Sequence, residues 1–186
     1  MSEAVVGLGS NLGDKSGYLL EAVQALSRLP GTKITGISAI YASKPEAPPC
    51  SAPTNLRFAG DPGQAKGVDT GDQEDYHNMA VKVDTGMSPM ALLGACLGIE
   101  ASMGRVRAGK GASRVIDLDV LLYEGVKNES FELSLPHPRL LQRAFVLLPL
   151  KELYPSGRAP GIFFEPYLKE LDTGGVHKLA QRIEMD

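Results

Sequence analysis

Arg114-Val115-Ile116-Asp117-Leu118-Asp119-Val120-Leu121-Leu122 is an apolar run interrupted by two acids at i and i+2, with an arginine just upstream. Side chains alternate along a strand, so Asp117 and Asp119 project to one face while Ile116, Leu118 and Val120 project to the other. The two carboxylates then sit about 7 Å apart along the backbone, close enough to converge on one divalent cation or a close pair. Acids set in an apolar strand are costly unless something positive neutralises them. A hard, oxygen-seeking cation such as Mg2+, which shares its ligands with substrate phosphates, suits them best. Taken alone, the pair is more simply the wet face of an ordinary strand. The arginines on its flank change the weighting.

Outward from this strand, short β segments alternate with helical ones. Ala4-Val5-Val6-Gly7-Leu8 is a strand that breaks at Gly9-Ser10-Asn11-Leu12-Gly13-Asp14. Leu19, Ala22, Val23, Leu26 and Leu29 then recur at a helical period until Pro30-Gly31. Ile34 to Tyr41 is rich in β-branched residues and reads as the second strand. Met79 to Asp84 alternates apolar and polar residues, the pattern of a strand with one wet face. Ser88-Pro89 pairs an N-cap with a proline at the first helical position, predicting a helix to about Met103. After the Asp117–Leu122 strand come a hairpin-like turn at Tyr123-Glu124-Gly125-Val126, a stiff Pro136-His137-Pro138 loop and a last, compact helix near Ala144–Leu153. The order β-α-β-β-α-β, with C-terminal additions, predicts an α+β ferredoxin-like sandwich whose helices cover one face of an antiparallel sheet.

At 186 residues the chain suits one domain able to bury its own core. One segment stands apart. From Glu46 to Asp75 prolines and glycines recur without any apolar period, the composition of a long surface loop near the site or of an idle insertion. A net charge of −3 gives no general pull toward nucleic acid. The strands are also poor in the aromatics that an RNA-binding sheet displays. No apolar run reaches about 18 residues, so no membrane span is expected. The N-terminus runs straight into a strand without a basic and then apolar leader, and a cytoplasmic, monomeric or weakly associating protein is expected. Cys50 and Cys96 lack metal-ligand spacing, and Cys96 reads as a reduced, buried thiol.

The chemistry concentrates upstream of the acids. Ile99-Glu100-Ala101-Ser102-Met103-Gly104-Arg105-Val106-Arg107 leaves a helix at Gly104 and presents two arginines. A small-residue, glycine-rich stretch then returns as Arg114. Guanidinium groups grip phosphate oxygens bidentately and stabilise charge in phosphoryl transfer, and glycine-flanked loops can close over such a ligand. No Gly-x-x-x-x-Gly-Lys-Ser/Thr segment is present, which excludes a P-loop nucleotide site.

Five ordered segments together resemble 6-hydroxymethyl-7,8-dihydropterin pyrophosphokinases of folate biosynthesis. They are Gly9-Ser10-Asn11-Leu12-Gly13-Asp14, Tyr76-His77-Asn78, Ile99-Glu100 with Gly104-Arg105-Val106-Arg107, Arg114-Val115-Ile116-Asp117-Leu118-Asp119, and Pro136-His137-Pro138 with Arg143-Ala144-Phe145-Val146-Leu147. The resemblance implies transfer of pyrophosphate from ATP to the pterin hydroxymethyl group, releasing AMP. It implies two Mg2+ ions on Asp117 and Asp119, and catalytic roles for Arg105 and Arg114. By the same likeness, Arg107, His137 and Arg143 hold ATP phosphates, Glu100 supports the nucleotide end, and Ser134 lies near the adenine. On the pterin side Tyr76 and Phe145 stack on the ring, while Asn78 and Ser43 bond its polar edge. Departures from the family pattern are Lys110 where a tryptophan is usual, Ser113 for a proline, Lys44 and Glu46 at apolar positions, and the insertion after Pro45. Two rival readings are a Mg2+-dependent phospho- or nucleotidyltransferase acting on another heterocycle and a non-catalytic ferredoxin-like binding module.

Overall fold

Strand β1 (Ser2–Ser10) runs through the middle of the protein because nearly every residue on it is small or apolar, and Ala4, Val5 and Val6 are fully buried. A computed structural model describes residues 1–44, 75–105 and 114–180. The Glu46–Asp75 loop up to residue 74, Cys50, Arg107, Lys110 and Ser113 lie outside the described residues. Helix α1 (Lys15–Ser27) is capped by Asp14, whose carboxylate accepts from the Gly17 N–H at 3.0 Å. Strands β2 (Thr32–Ile37) and β3 (Tyr41–Ser43) follow, then β4 (Tyr76–Thr85). Helix α2 (Pro89–Ser102) starts at the Ser88 cap and Pro89 as their chemistry predicts, and Gly104 beyond its end takes φ +82°. Strand β5 (Asp117–Tyr123) carries the two acids.

The main sheet is antiparallel throughout, with β1 between β4 and β5 and with β2 and β3 both pairing β4. The single strand expected over Ile34–Tyr41 is therefore two. Ser38 breaks it: its hydroxyl accepts the Ala80 N–H at 2.9 Å, the donor a continuous ladder would use. Downstream lie a small hairpin, β6 (Asn128–Glu129) with β7 (Ser134–Leu135), then α3 (Ala144–Leu153). A second small hairpin pairs β8 (Arg158–Ala159) with β9 (Ile162–Phe163). Helix α3 is not the last, contrary to the expectation from sequence: the short α4 (Glu165–Glu170), with a proline in its first turn, leads to β10 (Val176–Lys178), which adds itself to the free edge of β3.

Both sheet faces are covered, a correction to the expectation of helices on one side only. Ala4, Val6, Leu8, Val81, Leu118 and Val120 pack with α1 and α2 residues such as Leu19, Leu26, Leu92 and Cys96. On the other face Val5, Ala80, Leu121 and Leu122 pack with Leu147 and Leu150 of α3 and with Phe164. The second face is apolar only along part of its length, so α3 covers that part and leaves the end bearing Asp117 and Asp119 uncapped by core. Cys96 is a free, buried thiol, as expected; burial first, then the nearby Glu100 and Asp119 carboxylates, push it up to about 12. Among the described residues no helix is long and apolar enough to cross a membrane.

Candidate active site

Register alone lines up the site. Asp117 on β5 lies opposite Gly9 on β1, Gly9 opposite Asn78 on β4, and Asn78 opposite Tyr41 on β3. Residues directly opposite in an antiparallel pair share a face, so this transverse row projects on the α3 side of the sheet. One step along, Asp119, Gly7 and Ala80 form a parallel row, and Ser43 pairs with Tyr76 in another. The acids and the polar pair Asn78–Ser43 thus open onto one surface, Asn78 lying roughly 10 Å from Asp117 across two strand spacings and Ser43 one strand further. Between them lies Gly9. A Cβ there would stand 3.1 Å from Asn78 Oδ1, so the missing side chain leaves room for the carboxamide.

The acidic end is densely wired. Asp117 accepts from Arg105 Nη1 at 2.6 Å through one oxygen and pairs with Arg114 Nη1 through the other. Arg105 Nη1 also meets Glu100, whose carboxylate is only 2% exposed and accepts the Leu118 N–H at 2.7 Å. Glu100 therefore grips the backbone between the two aspartates. Burial raises the Glu100 carboxyl above its ordinary value and the Asp117 charge adds to this, against the Leu118 N–H and Arg105. Asp119 differs. Among the described residues it has no hydrogen-bonded or ion-paired partner, and burial followed by the charge of Asp117 pushes its carboxyl up. His137, Arg114 and Arg143 face it closely enough to pull the other way.

His137 is seated by its backbone N–H, which donates to Leu121 O on β5 at 2.8 Å. Its Nδ1 accepts the Arg139 N–H at 3.2 Å, which leaves the proton of the neutral ring on Nε2 as a donor. Burial, the largest cause, lowers its pKa, although the Asp119 charge opposes this. Arg143 stands at the N-cap position of α3, without a side-chain cap bond, and lies over the Phe145 ring, 5.4 Å from its centroid. At the other end Asn78 Nδ2 donates to Ser43 Oγ at 2.9 Å, both side chains being buried. Tyr76 opens β4 beside Ser43. Ser134 stands further off: its hydroxyl donates to the Ser130 carbonyl at 3.1 Å within the β6–β7 hairpin.

One residue of the site has a role that its place in the sequence does not announce. Asn11, 2% exposed at the end of β1, accepts the Arg114 N–H at 2.6 Å through Oδ1, and its own N–H donates to Arg114 O at 3.1 Å. This clasp seats the arginine three residues before Asp117. The signal available in sequence was an asparagine closing an apolar strand, where a buried amide must find a partner. Asn11→Ala should accelerate hydrogen exchange at the Arg114 amide roughly fivefold, the equivalent of about 1 kcal/mol for one lost hydrogen bond. An unchanged rate would show that the clasp does not hold this end of the loop.

The residues suit Mg2+. Asp119 is a desolvated carboxylate with no partner among the described residues and with a second acid beside it, and a hard cation relieves both penalties. Among the described residues no group of three or more His, Cys, Asp or Glu side chains converges, so remaining ligands would come from substrate and water, the usual habit of Mg2+. Twin acids, clustered arginines and a polar recess on one face of an α+β sandwich define the class: an enzyme that acts on a phosphate-bearing substrate.

Comparison with known proteins narrows this. Residues 5–155 match the model of the 7,8-dihydro-6-hydroxymethylpterin-pyrophosphokinase (HPPK) family, and the chain belongs to that family. It is 38% identical over 179 residues to the 2-amino-4-hydroxy-6-hydroxymethyldihydropteridine pyrophosphokinase of Methylorubrum extorquens, covering 96% of this chain and 99% of that one. The Bacillus subtilis protein of the same name is 35% identical over 183 residues, 98% of this chain and 93% of that one. Among solved structures, the Plasmodium falciparum HPPK-DHPS protein superposes with a TM-score of 0.57 at 18% identity, which speaks to fold alone. That match covers 91% of this chain and 43% of the longer one.

Proposed function

We propose that this chain transfers pyrophosphate from ATP to the hydroxymethyl group of 6-hydroxymethyl-7,8-dihydropterin, giving the pterin diphosphate and AMP in folate biosynthesis. Family membership supports the reaction. The observation that carries the site is the shared sheet face, with Asp117 and Asp119 at one end and Asn78–Ser43 at the other. The pterin hydroxyl oxygen attacks the β-phosphorus, the bond from that phosphorus to the α,β-bridging oxygen breaks, and AMP leaves with the oxygen. The hydroxyl proton passes to solvent.

Asp117 and Asp119 would hold Mg2+, two ions by the family likeness. When bound, the metal neutralises triphosphate charge and acidifies the attacking hydroxyl. Arg105 and Arg114 keep positive charge at Asp117 and turn it on the transferring phosphates. Arg107, His137 through Nε2–H, and Arg143 grip nucleotide phosphates. Glu100 keeps the acid-bearing strand and Arg105 in register, and Ser134 lies toward the adenine. Tyr76 and Phe145 sandwich the pterin ring, each stack contributing about 0.5–1.5 kcal/mol beyond area burial. Asn78 and Ser43 bond its polar edge, and a buried polar recess of this sort rejects rings lacking the matching groups. The enzyme acts as a single-domain, cytoplasmic monomer; sedimentation checks the monomeric state.

Incubation with ATP, Mg2+ and the dihydropterin alcohol should yield AMP and pterin diphosphate in equal amounts, and EDTA should stop the reaction. ADP in place of AMP would point instead to transfer of a single phosphoryl group. Absence of any pterin-dependent nucleotide product would overturn the proposal.

A further inference from the structure

Glu152, in the last turn of α3, joins three elements at one carboxylate. Its Oε2 accepts the Ala39 N–H at 2.7 Å, its Oε1 accepts the Tyr41 hydroxyl at 2.9 Å, and Lys178 on β10 pairs with Oε1. Strand β10 in turn pairs β3 residue by residue: Lys178 with Tyr41, His177 with Ala42, Val176 with Ser43. The elements so joined carry the two sides of the ring recess. Phe145 lies on the same helix seven residues before Glu152, about 10 Å along its axis. Ser43 lies two residues beyond Tyr41 on the same strand face, about 7 Å away. No other described side chain of α3 hydrogen-bonds to β3 or to the segment leading into it.

The chemistry of the cluster is that of a fixed strut. Tyr41 is 7% exposed, and burial, then its bond to Glu152, raises the hydroxyl pKa so that it stays a donor. Burial pushes the Glu152 carboxyl up, but the Ala39 N–H, Lys178 and Tyr41 together hold it below the ordinary value, so it stays an acceptor. Strand β3 is only three residues long, and the Glu152 contacts add a side-chain tie to its ladders with β4 and β10. Lys178 also lies beyond the residues that match the family model, so its arm of the strut is built by the C-terminal extension.

We infer that Glu152 is a positioning residue for the pterin slot: by tying α3 to β3 it sets the separation between Phe145 and the Ser43–Asn78 pair. This rests on the reading of Tyr76, Phe145, Ser43 and Asn78 as the pterin site. Glu152 touches no substrate in this scheme, and the acid-bearing end of the face does not depend on it.

Titration calorimetry on the full chain separates the possibilities. It measures 6-hydroxymethyl-7,8-dihydropterin binding in the presence of Mg2+ and a non-hydrolysable ATP analogue, and the analogue by itself. Glu152→Ala should weaken pterin binding about tenfold while changing nucleotide affinity less than twofold. Glu152→Gln keeps one carbonyl oxygen, which can still accept the Ala39 N–H, and turns an amide N–H toward the Tyr41 oxygen; it should restore about half of the loss. Tyr41→Phe, which removes one hydroxyl and keeps the ring packed, should cost about threefold on the pterin side alone and serves if Glu152→Ala does not fold. Phe145→Ala is the control for the slot itself: undiminished pterin binding in that variant would overturn the assignment of the slot. Weakened binding in Phe145→Ala with wild-type binding in Glu152→Ala and Tyr41→Phe would overturn the positioning role. Equal loss of pterin and nucleotide affinity, unrescued by glutamine, would overturn it too.

Discussion

Asp119→Asn is expected to abolish AMP formation while leaving the chain folded, with a thermal midpoint at or above that of the unaltered protein. The substitution keeps the shape of the side chain and removes its charge. Loss of a charged group that stabilises a transferring phosphoryl costs on the order of 10^2–10^3 in rate, and a lost metal ligand belongs at the upper end. Stability moves the other way because burial and the charge of Asp117 raise the Asp119 carboxyl. A carboxyl whose pKa is higher folded than unfolded binds protons more readily in the folded state, so its ionised form destabilises the fold above the ordinary aspartate range. In metal-free protein the asparagine variant should therefore be the more stable at neutral pH. Its advantage should shrink as pH falls into that range and the wild-type acid is protonated. Thermal melts across pH, paired with an AMP assay, check both halves. Near-normal turnover would remove Asp119 from the chemistry, and a lower midpoint at neutral pH would mean its charge is compensated in the fold.

Glu100→Ala should be the costliest single change at the site for stability. Its carboxylate is 2% exposed, accepts the Leu118 N–H and pairs with Arg105, so truncation orphans a buried donor and a half-buried guanidinium together. Breaking a buried pair on one side costs about 3–5 kcal/mol, and Arg105 retains Asp117, so the lower end applies. For a chain of this size about 3 kcal/mol lowers the melting midpoint by roughly 6–12 °C. Glu100→Gln keeps an acceptor for Leu118 and should recover about half of that in chemical denaturation, the part owed to the backbone bond. A midpoint within a degree of wild type in Glu100→Ala would mean that water satisfies the Leu118 amide.

Local structure was legible wherever a residue's own chemistry decides it. Ser88-Pro89 started α2, Ala144–Leu153 became α3, and Asp117 and Asp119 took the face opposite Leu118 and Val120 because strand alternation admits nothing else. What escaped depends on partners far along the chain. Ser38 splits a strand only because Ala80 lies across from it, and β10 is a strand only because β3 has an edge to offer. The second helical face could not be foreseen without knowing that Val5, Ala80 and Leu121 become neighbours. Within the site, residue types and order pointed to the acids and arginines that the fold gathers around Asp117, and to Asn78 and Ser43, which it buries together. The Asn11–Arg114 clasp and the grip of Glu100 on Leu118 join residues 103 and 18 positions apart and have no local signature.

Gly9 carries a last consequence. Because it is the middle rung between Asp117 and Asn78, the site is a yardstick graduated in whole strands, and its length cannot be trimmed by small adjustments. Sliding β1 by one residue would turn its own Ala4, Val6 and Leu8 out of the core and set a residue bearing a side chain between Asp117 and Asn78. On the proposed reaction, an alcohol carried one methylene further from its ring should turn over more slowly, because its oxygen would stand past the acid-bearing end of the row.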